Sequence, residues 1–204
     1  MELRDAIDQI TAIRTQLAAT ERLRALRAVP VAFSGLLALL AAAAQTLWIV
    51  VPAASTTRYL LLWVGTAAIS ALAAGLELLW RVRLSGSRLS AANALVALQQ
   101  FLPSSVAGAV VTAVIAVRLP ELLWLLPGLW QLLFGLGNLA AHRLLPGPAV
   151  LVGSLYLATG TACLWLGPLA LAPWAMGLPF LAGQATLAAI LWWHQERPQT
   201  EVGR

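Results

Sequence analysis

Residues 30–51 read PVAFSGLLALLAAAAQTLWIVV, a stretch of 22 residues without a charged side chain. A helix that crosses a bilayer needs about 20 predominantly apolar residues, so this stretch predicts a transmembrane helix. The whole 204-residue chain has the same character, because 60% of its residues are hydrophobic and only 10% are charged. Soluble domains contain about 25% charged residues. The chain is therefore expected to lie in a lipid bilayer.

Five further apolar segments follow this stretch, and they are separated by proline, glycine, serine or arginine residues. The six expected spans are residues 30–51, 58–80, 92–117, 120–143, 148–168 and 173–194. The polar stretch 81–90 is expected to be a loop, and Pro103 leaves two possibilities for the third span. That span is either one kinked helix or an interfacial helix followed by a shorter span. We predict an all-α membrane protein whose six transmembrane helices form three hairpins within residues 29–194.

Residues 1–28 precede the first span and show a different pattern. Their apolar residues recur at the spacing of one helix face among charged side chains, as in Leu3, Ile7, Ile10 and Ile13. Interfacial helices that bind anionic lipid are usually strongly basic on the polar face, whereas the first half of this segment has no net positive charge. We expect an amphipathic cytoplasmic helix whose apolar face contacts a protein partner. The polar residues 195–204 are expected to form a disordered tail.

The distribution of arginine predicts the orientation. An even number of spans places both termini on one side, and eleven of the 13 basic residues fall on that side. Arg58 and Arg118 are the two that fall on the other side. Because positively charged loops stay in the cytoplasm, both termini are expected there. The excess of arginine is explained by this orientation, so we expect the lipid bilayer rather than nucleic acid as the partner of the basic residues.

Two glutamines stand out because each lies eleven positions into its expected span. Gln131 follows Pro127 and Gln184 follows Pro179, each within about one turn. A proline inside a helix leaves the carbonyl four residues earlier without its backbone donor. In a medium without water that carbonyl must find another donor, and a glutamine amide can supply one.

The carbonyls released by these prolines are those of Leu123 and Ala175. In one interpretation the glutamines join helices by bonding to such carbonyls. In the other, interrupted helices mark a ligand or transport site, and the candidate ligand-binding residues are Gln131, Gln184, Trp130 and Asn138.

A second polar group lies at the cytoplasmic ends of the outgoing spans. Its members are Glu77, Arg81, His142, Arg143 and His194. Side chains at this depth can reach water and anchor the boundary. The alternative is that His142 and His194 bind haem iron or another metal through imidazole nitrogen, although no cofactor is predicted as the leading interpretation.

The third span carries two rows of small residues at i, i+4 spacing. The rows are Ser105, Ala109 and Ala113, and Gly108, Thr112 and Ala116. Small side chains let helices approach closely. We expect this helix to pack centrally, with a contact in a homo-oligomer as the alternative.

Three motifs carry a resemblance to other proteins: WLLPGLWQLLFGLG at 124–137, QFLP at 100–103 and PWAMGLPFLAGQ at 173–184. Together they resemble a family of uncharacterised bacterial inner-membrane proteins. The resemblance implies a location in a bacterial inner membrane. It implies no activity and no functional residue.

The leading functional hypothesis is a non-enzymatic binding or accessory protein that docks a partner through its N-terminal helix and can hold an apolar ligand. The first alternative is a small-molecule transporter with a midplane site at Gln131 and Gln184. The second is a membrane enzyme or a haem- or metal-binding subunit, for which no nucleophile with a base is visible in the sequence. A transporter should have a polar cavity at the midplane, whereas an accessory protein should have a packed midplane and an exposed apolar face.

We predict that both termini face the cytoplasm. Single cysteines from Glu2→Cys and Gly203→Cys, each in a Cys163→Ser background, should resist a membrane-impermeant thiol reagent added to intact cells, because the arginine bias holds both ends inside. A permeant reagent should label both. Labelling of either position by the impermeant reagent would contradict the predicted orientation.

Overall fold

The structure is a computed structural model that describes residues 28–49, 52, 55–85, 88–142 and 145–196. The predicted amphipathic helix with its Leu3, Ile7, Ile10 and Ile13, the polar tail from residue 197 onward and Arg143 lie outside these residues. The backbone of Arg81 is described as helical, but its side chain is not among the described parts.

Six α-helices form the described part of the chain, and no strand occurs within it. They are α1 (Ala28–Trp48), α2 (Thr56–Ser85), α3 (Arg88–Arg118), α4 (Leu126–Ala140), α5 (Val150–Leu166) and α6 (Pro173–Glu196). Six helical segments are long and apolar enough to cross a membrane, the fourth and fifth with their flanking 3-10 turns. The prediction of an all-helical chain with six potential membrane spans is therefore confirmed.

Proline-containing 3-10 turns precede the last three helices, at Pro120–Leu125, Gly147–Ala149 and Gly167–Leu171. Proline fits a helix start because its ring presets φ and the missing N–H has no partner there anyway. Gly167 ends α5 with φ of 59°, a backbone conformation that favours glycine.

The connection between α2 and α3 differs from the sequence-based expectation. Residues 81–90 were expected to form a loop, but α2 continues to Ser85 and α3 begins at Arg88. Arginine and leucine are good helix formers, so polar residues beyond a span can extend its helix. Pro103 lies inside a single helix, Arg88–Arg118, which resolves the two possibilities in favour of one long element.

The packing divides the six helices into four core helices and two peripheral ones. The most extensive interface joins α1 to α6, and the next joins α4 to α5. In the spans of α4 and α6, 44% of residues are buried, against 11% for α2 and 6% for α3. The members of each expected hairpin do contact each other, but none of these pairs forms the largest interface.

The two small-residue rows of α3 have different surroundings. Gly108, Thr112 and Ala116 are partly buried, and a Cβ at Gly108 would lie 3.7 Å from Leu133 of α4. The row of Ser105, Ala109 and Ala113 is exposed. The helix is therefore peripheral rather than central, and only one row packs within the chain.

Glycines permit the close approach of α4 and α5. A Cβ at Gly160 would lie 2.8 Å from the carbonyl oxygen of Gly128, and one at Gly135 would lie 2.9 Å from that of Gly153. Seven residues separate the two glycines on each helix, which is about two turns. The helices therefore meet twice along one face with backbone against backbone, as small residues allow in membranes.

We predict that Gly160→Ala destabilises the protein by about 1–3 kcal/mol, because the added methyl group would overlap backbone atoms that cannot move independently. Gly65→Ala on α2 is the matched control, since a Cβ there meets nothing within 4 Å. It should be neutral or stabilising by up to about 1 kcal/mol. Thermal unfolding in detergent measures both, and equal midpoints for the two variants would contradict the interface.

Candidate functional site

Four amide side chains are buried among the described residues: Gln45, Gln131, Asn138 and Gln184. A buried amide in a membrane-spanning region costs free energy unless it forms hydrogen bonds. The partners of these four side chains therefore locate the polar sites of the bundle.

Gln131 is fully buried and bonds to the carbonyl that Pro179 releases. Its Nε2 donates to the Ala175 oxygen at 3.0 Å. Ala175 lies four residues before Pro179, so its carbonyl lacks the usual backbone donor. A side chain of α4 thus completes the hydrogen bonding of α6.

The other released carbonyl needs no glutamine. The backbone N–H of Leu126 donates to the Leu123 oxygen, because the chain before Pro127 forms a 3-10 turn in place of an α-helical one. Gln184 instead packs against α1, where a Cβ at Gly35 would lie 2.9 Å from the Gln184 Cβ. The Tyr156 hydroxyl lies against the preceding residue, because a Cβ at Gly183 would lie 2.5 Å from its oxygen.

Gln45 is a buried amide that the sequence analysis did not single out. Its Nε2 donates to the Leu171 oxygen at 2.7 Å, and its Oε1 accepts a bond from Trp63 Nε1, also at 2.7 Å. These bonds connect α1, α2 and the turn before α6. The available signal was an isolated glutamine in an apolar stretch, but no proline lies within the two turns before it, and its main partner is 126 residues away.

The bonds of Gln45 and Gln131 lie at the end of the bundle where α1 ends and α6 begins, which we call the distal end. Trp130 adds a bond from its Nε1 to the Thr112 hydroxyl of α3 at 2.8 Å, and its ring stacks on Tyr59 with centroids 6.5 Å apart. Gln131 Nε2 also contacts the Cys163 sulfur of α5 at 3.3 Å. All six helices are thereby linked near the distal end. We call the participating side chains the distal layer: Gln45, Tyr59, Trp63, Thr112, Trp130, Gln131, Cys163 and Met176.

Gln184 and Asn138 lie in a separate layer toward the opposite, proximal end, where α1 begins and α6 ends. Gln184 is nine residues beyond Ala175, which is about 14 Å along a helix at 1.5 Å per residue. Asn138 donates only to the Phe134 oxygen of its own helix, at 3.2 Å. The structure therefore does not bring Gln131, Trp130, Gln184 and Asn138 together as the single midplane site considered from the sequence.

Aromatic rings surround the Gln184 side of this second layer. Phe134 makes edge-to-face contacts with Tyr156 and Phe180, at centroid distances of 4.9 and 5.3 Å. Such pairs stabilise a core beyond the area they bury. The proximal layer is thus packed with aromatic rings, and Gln184 is buried within it.

The two histidines at the proximal end are exposed. His142 Nδ1 bonds to the Leu139 oxygen and His194 Nδ1 to the Ile190 oxygen, each at 2.8 Å. A carbonyl only accepts, so Nδ1 carries the proton in both rings. The joint binding of haem or another metal by the two histidines stays a prediction. Within the described residues, no group of three or more His, Cys, Asp or Glu side chains is close enough to hold a metal ion.

Glu77 is half-buried and has interactions of its own. It therefore stays a candidate boundary residue of the cluster with Arg81, His142, Arg143 and His194.

No protein-family model, curated protein or solved structure matches this chain. The functional conclusions below consequently rest on its own geometry.

We predict that Gln131→Leu destabilises the protein by about 1–3 kcal/mol, because the Ala175 carbonyl then keeps only the weak bond from the Cys163 thiol at 3.7 Å. Pro179→Ala restores a backbone N–H that can reach the same carbonyl. Gln131→Leu should therefore cost less in the Pro179→Ala background than in the wild type. The free energies of unfolding of the four proteins form a double-mutant cycle that measures this coupling.

Asn138→Leu is the matched control, because it removes a buried amide that bonds only within its own helix. It should cost less than Gln131→Leu and show no coupling to Pro179→Ala. An equal cost of Gln131→Leu in both backgrounds would mean that its amide does not satisfy the released carbonyl.

Proposed function

We propose that this chain is a non-enzymatic binding or accessory protein of the bacterial inner membrane, with three hairpins of spans and both termini in the cytoplasm. Its partner is a membrane protein that contributes an apolar transmembrane helix. The observation that carries the proposal is that α2, one of the six apolar helices, is left almost unpacked by the described part of the chain.

The contacts of α2 are concentrated near its distal end. Tyr59 and Trp63 are buried there, whereas no residue from 66 to 80 is buried. The unpacked part is rich in small residues, and a Cβ at Gly75 would meet nothing within 4 Å. Small residues in membrane helices are enriched where helices meet, so this surface suits a second helix better than it suits lipid alone.

The distal layer argues for binding rather than transport. Gln131 Nε2 and Gln45 Nε2 both donate to backbone carbonyls outside their own helices. A transport site needs polar groups that exchange partners with a substrate, but these two amides hold helices together. The two glutamines of the transporter hypothesis also lie in different layers, which favours the accessory role.

The N-terminal segment has a place in the same proposal. It joins α1 at Ala28, at the proximal end, where the unpacked part of α2 also lies. A membrane partner seated on α2 therefore has its cytoplasmic part close to residues 1–27, whose apolar positions are proposed to dock it. Residues 59–76 carry no charge, so the α2 surface also suits an apolar ligand such as a lipid chain.

We predict that a photo-crosslinking amino acid at Leu72 of α2 gives an adduct with a protein in intact membranes. Leu151 of α5 is the matched control, because the two side chains are 65% and 67% exposed. Leu151 should crosslink only to lipid, since α5 belongs to the core. The mass of the Leu72 adduct separates a different protein from a second 21.6-kDa copy.

Deletion of residues 2–20 tests the proposed docking segment in the same assay. The Leu72 adduct should weaken or disappear while the shortened protein still inserts into the membrane. If both positions gave only lipid adducts, no protein partner would lie on α2. If both positions gave the same protein adduct, binding would not be specific to α2, and either result would contradict the proposal. An unchanged Leu72 adduct after the deletion would overturn docking by the N-terminal segment.

A further inference from the structure

The exposed tryptophans mark two levels on the outside of the bundle. Six of the nine tryptophans have exposed side chains, and each of the six lies close to one end of its apolar helix. Trp63, Trp124 and Trp130 are buried or partly buried. Tryptophan is enriched at both membrane–water interfaces, because its ring is apolar while its N–H needs a polar partner. The distal level consists of Trp48, Trp165 and Trp174, and the proximal level of Trp80, Trp192 and Trp193.

The contacts between α5 and α6 show that the distal tryptophans share one height. The Cys163 thiol donates to the Ala175 oxygen at 3.7 Å. Trp165 lies two residues after Cys163, and Trp174 lies one residue before Ala175. Because α5 and α6 run in opposite directions, both steps lead toward the distal end. Trp48 is the last residue of α1 and lies at the same end of the bundle.

The proximal tryptophans share a height as well. Trp63 of α2 bonds to Gln45 of α1. Because these helices run in opposite directions, 17 residues farther along each of them lead to Trp80 and to Ala28, the first residue of α1. The end of the bundle where α1 begins is also the end where α6 finishes, so Trp80 and Trp192 lie at similar heights.

The distance between the two levels follows from α6, which carries tryptophans of both. Trp174 and Trp192 are 18 residues apart, which corresponds to about 27 Å along an α-helix. The average tilt of a membrane helix, about 20°, would shorten this separation to about 25 Å. The hydrocarbon core of a typical bilayer is about 30 Å thick. The two levels are therefore closer together than the two surfaces of such a core.

We propose, from the membrane location in the proposed function and independently of the partner at α2, that the bundle fits a thin bilayer. Its lipid partners are phospholipids whose acyl chains form a hydrocarbon core of about 25–27 Å. A thicker core would draw one set of tryptophans below the headgroups, where an indole N–H finds no polar partner. Since the helices cannot lengthen, the bilayer would have to become thinner around the protein, which costs free energy.

Exposed arginines on α2 lie outside both levels. Arg83 is exposed three residues beyond Trp80. Arg58 is exposed five residues before Trp63, which the bond to Gln45 holds near the distal level. A thicker core would bring one of these arginines toward the hydrocarbon, where a charged side chain is costly. The arginines and the tryptophans thus limit the thickness in the same way.

The test uses the purified full-length protein in phosphatidylcholine vesicles whose monounsaturated chains increase from fourteen to twenty-two carbons. The thermal midpoint of unfolding should be highest at sixteen or eighteen carbons. It should be lower by roughly 2–4 °C at twenty-two carbons, because each ångström of mismatch costs free energy. Lipids brominated next to the headgroup should quench more tryptophan fluorescence than lipids brominated at the chain end.

A double variant tests the tryptophans themselves. Trp174→Leu and Trp192→Leu together remove one exposed ring from each level, so the loss of stability at twenty-two carbons should become smaller. Leu151→Ala and Leu178→Ala together are the matched control, because both leucines are exposed between the two levels. This control should keep the loss seen in the wild type. The melting temperature in detergent shows whether each variant is folded.

Three results would overturn the proposal. A midpoint that does not depend on chain length, or that still rises at twenty-two carbons, would contradict the fit to a thin bilayer. Stronger quenching by the bromines at the chain end would contradict the position of the exposed tryptophans at the headgroups. An equal loss in the tryptophan variant and the wild type would mean that these rings do not set the thickness. The vesicles contain no other protein, so each result is separate from the crosslinking test of the partner at α2.

Discussion

The hydrogen bond from Gln131 to the Ala175 carbonyl is the interaction on which the arrangement of the core depends. Pro179 removes the backbone donor for that carbonyl, and a bilayer offers no water to replace it. Side chains from other helices replace it: Gln131 of α4 donates to the Ala175 oxygen at 3.0 Å, and the Cys163 thiol of α5 donates more weakly at 3.7 Å. The glycine pairs of α4 and α5 then bring the Cys163 sulfur against the same amide. The Ala175 carbonyl, which lacks its backbone donor, is thus the point at which α4, α5 and α6 meet.

The two ends of the bundle consequently differ in how they are held. Near the distal end, side-chain hydrogen bonds and ring contacts join all six helices, including the peripheral α2 through Trp63 and α3 through Thr112. Toward the proximal end the core is held by rings around Tyr156, while α2 has no buried residue between 66 and 80. A helix fixed at one end and unpacked along the rest can accept a neighbour without rearrangement of the core.

The helices of this fold follow from the local sequence, whereas the contacts between distant residues do not. The six apolar helices were predictable because composition alone forces a chain with so few charges into lipid, and the need of Ala175 for a donor was predictable from Pro179. The identity of that donor depends on a contact between residues 44 positions apart. The Gln45 bonds were less accessible still, because the prolines at 168 and 173 mark a turn but do not show which of its carbonyls accepts from a residue 126 positions away. Which small-residue row of α3 faces α4 also depends on tertiary packing, since both rows have the same spacing.

The separation of Gln131 from Gln184 along the bundle has a physical cause. Gln131 and Gln184 each lie eleven positions into an expected span, but position along the sequence gives depth only when the spans are straight helices from their first residue. Residues 120–125 form a 3-10 turn in place of α-helix, so Gln131 lies only five residues beyond the start of α4. It therefore meets the beginning of α6, whereas Gln184 lies about 14 Å farther along that helix. The same displacement that separates the two glutamines places the Gln131 amide against the sulfur atoms of Cys163 and Met176.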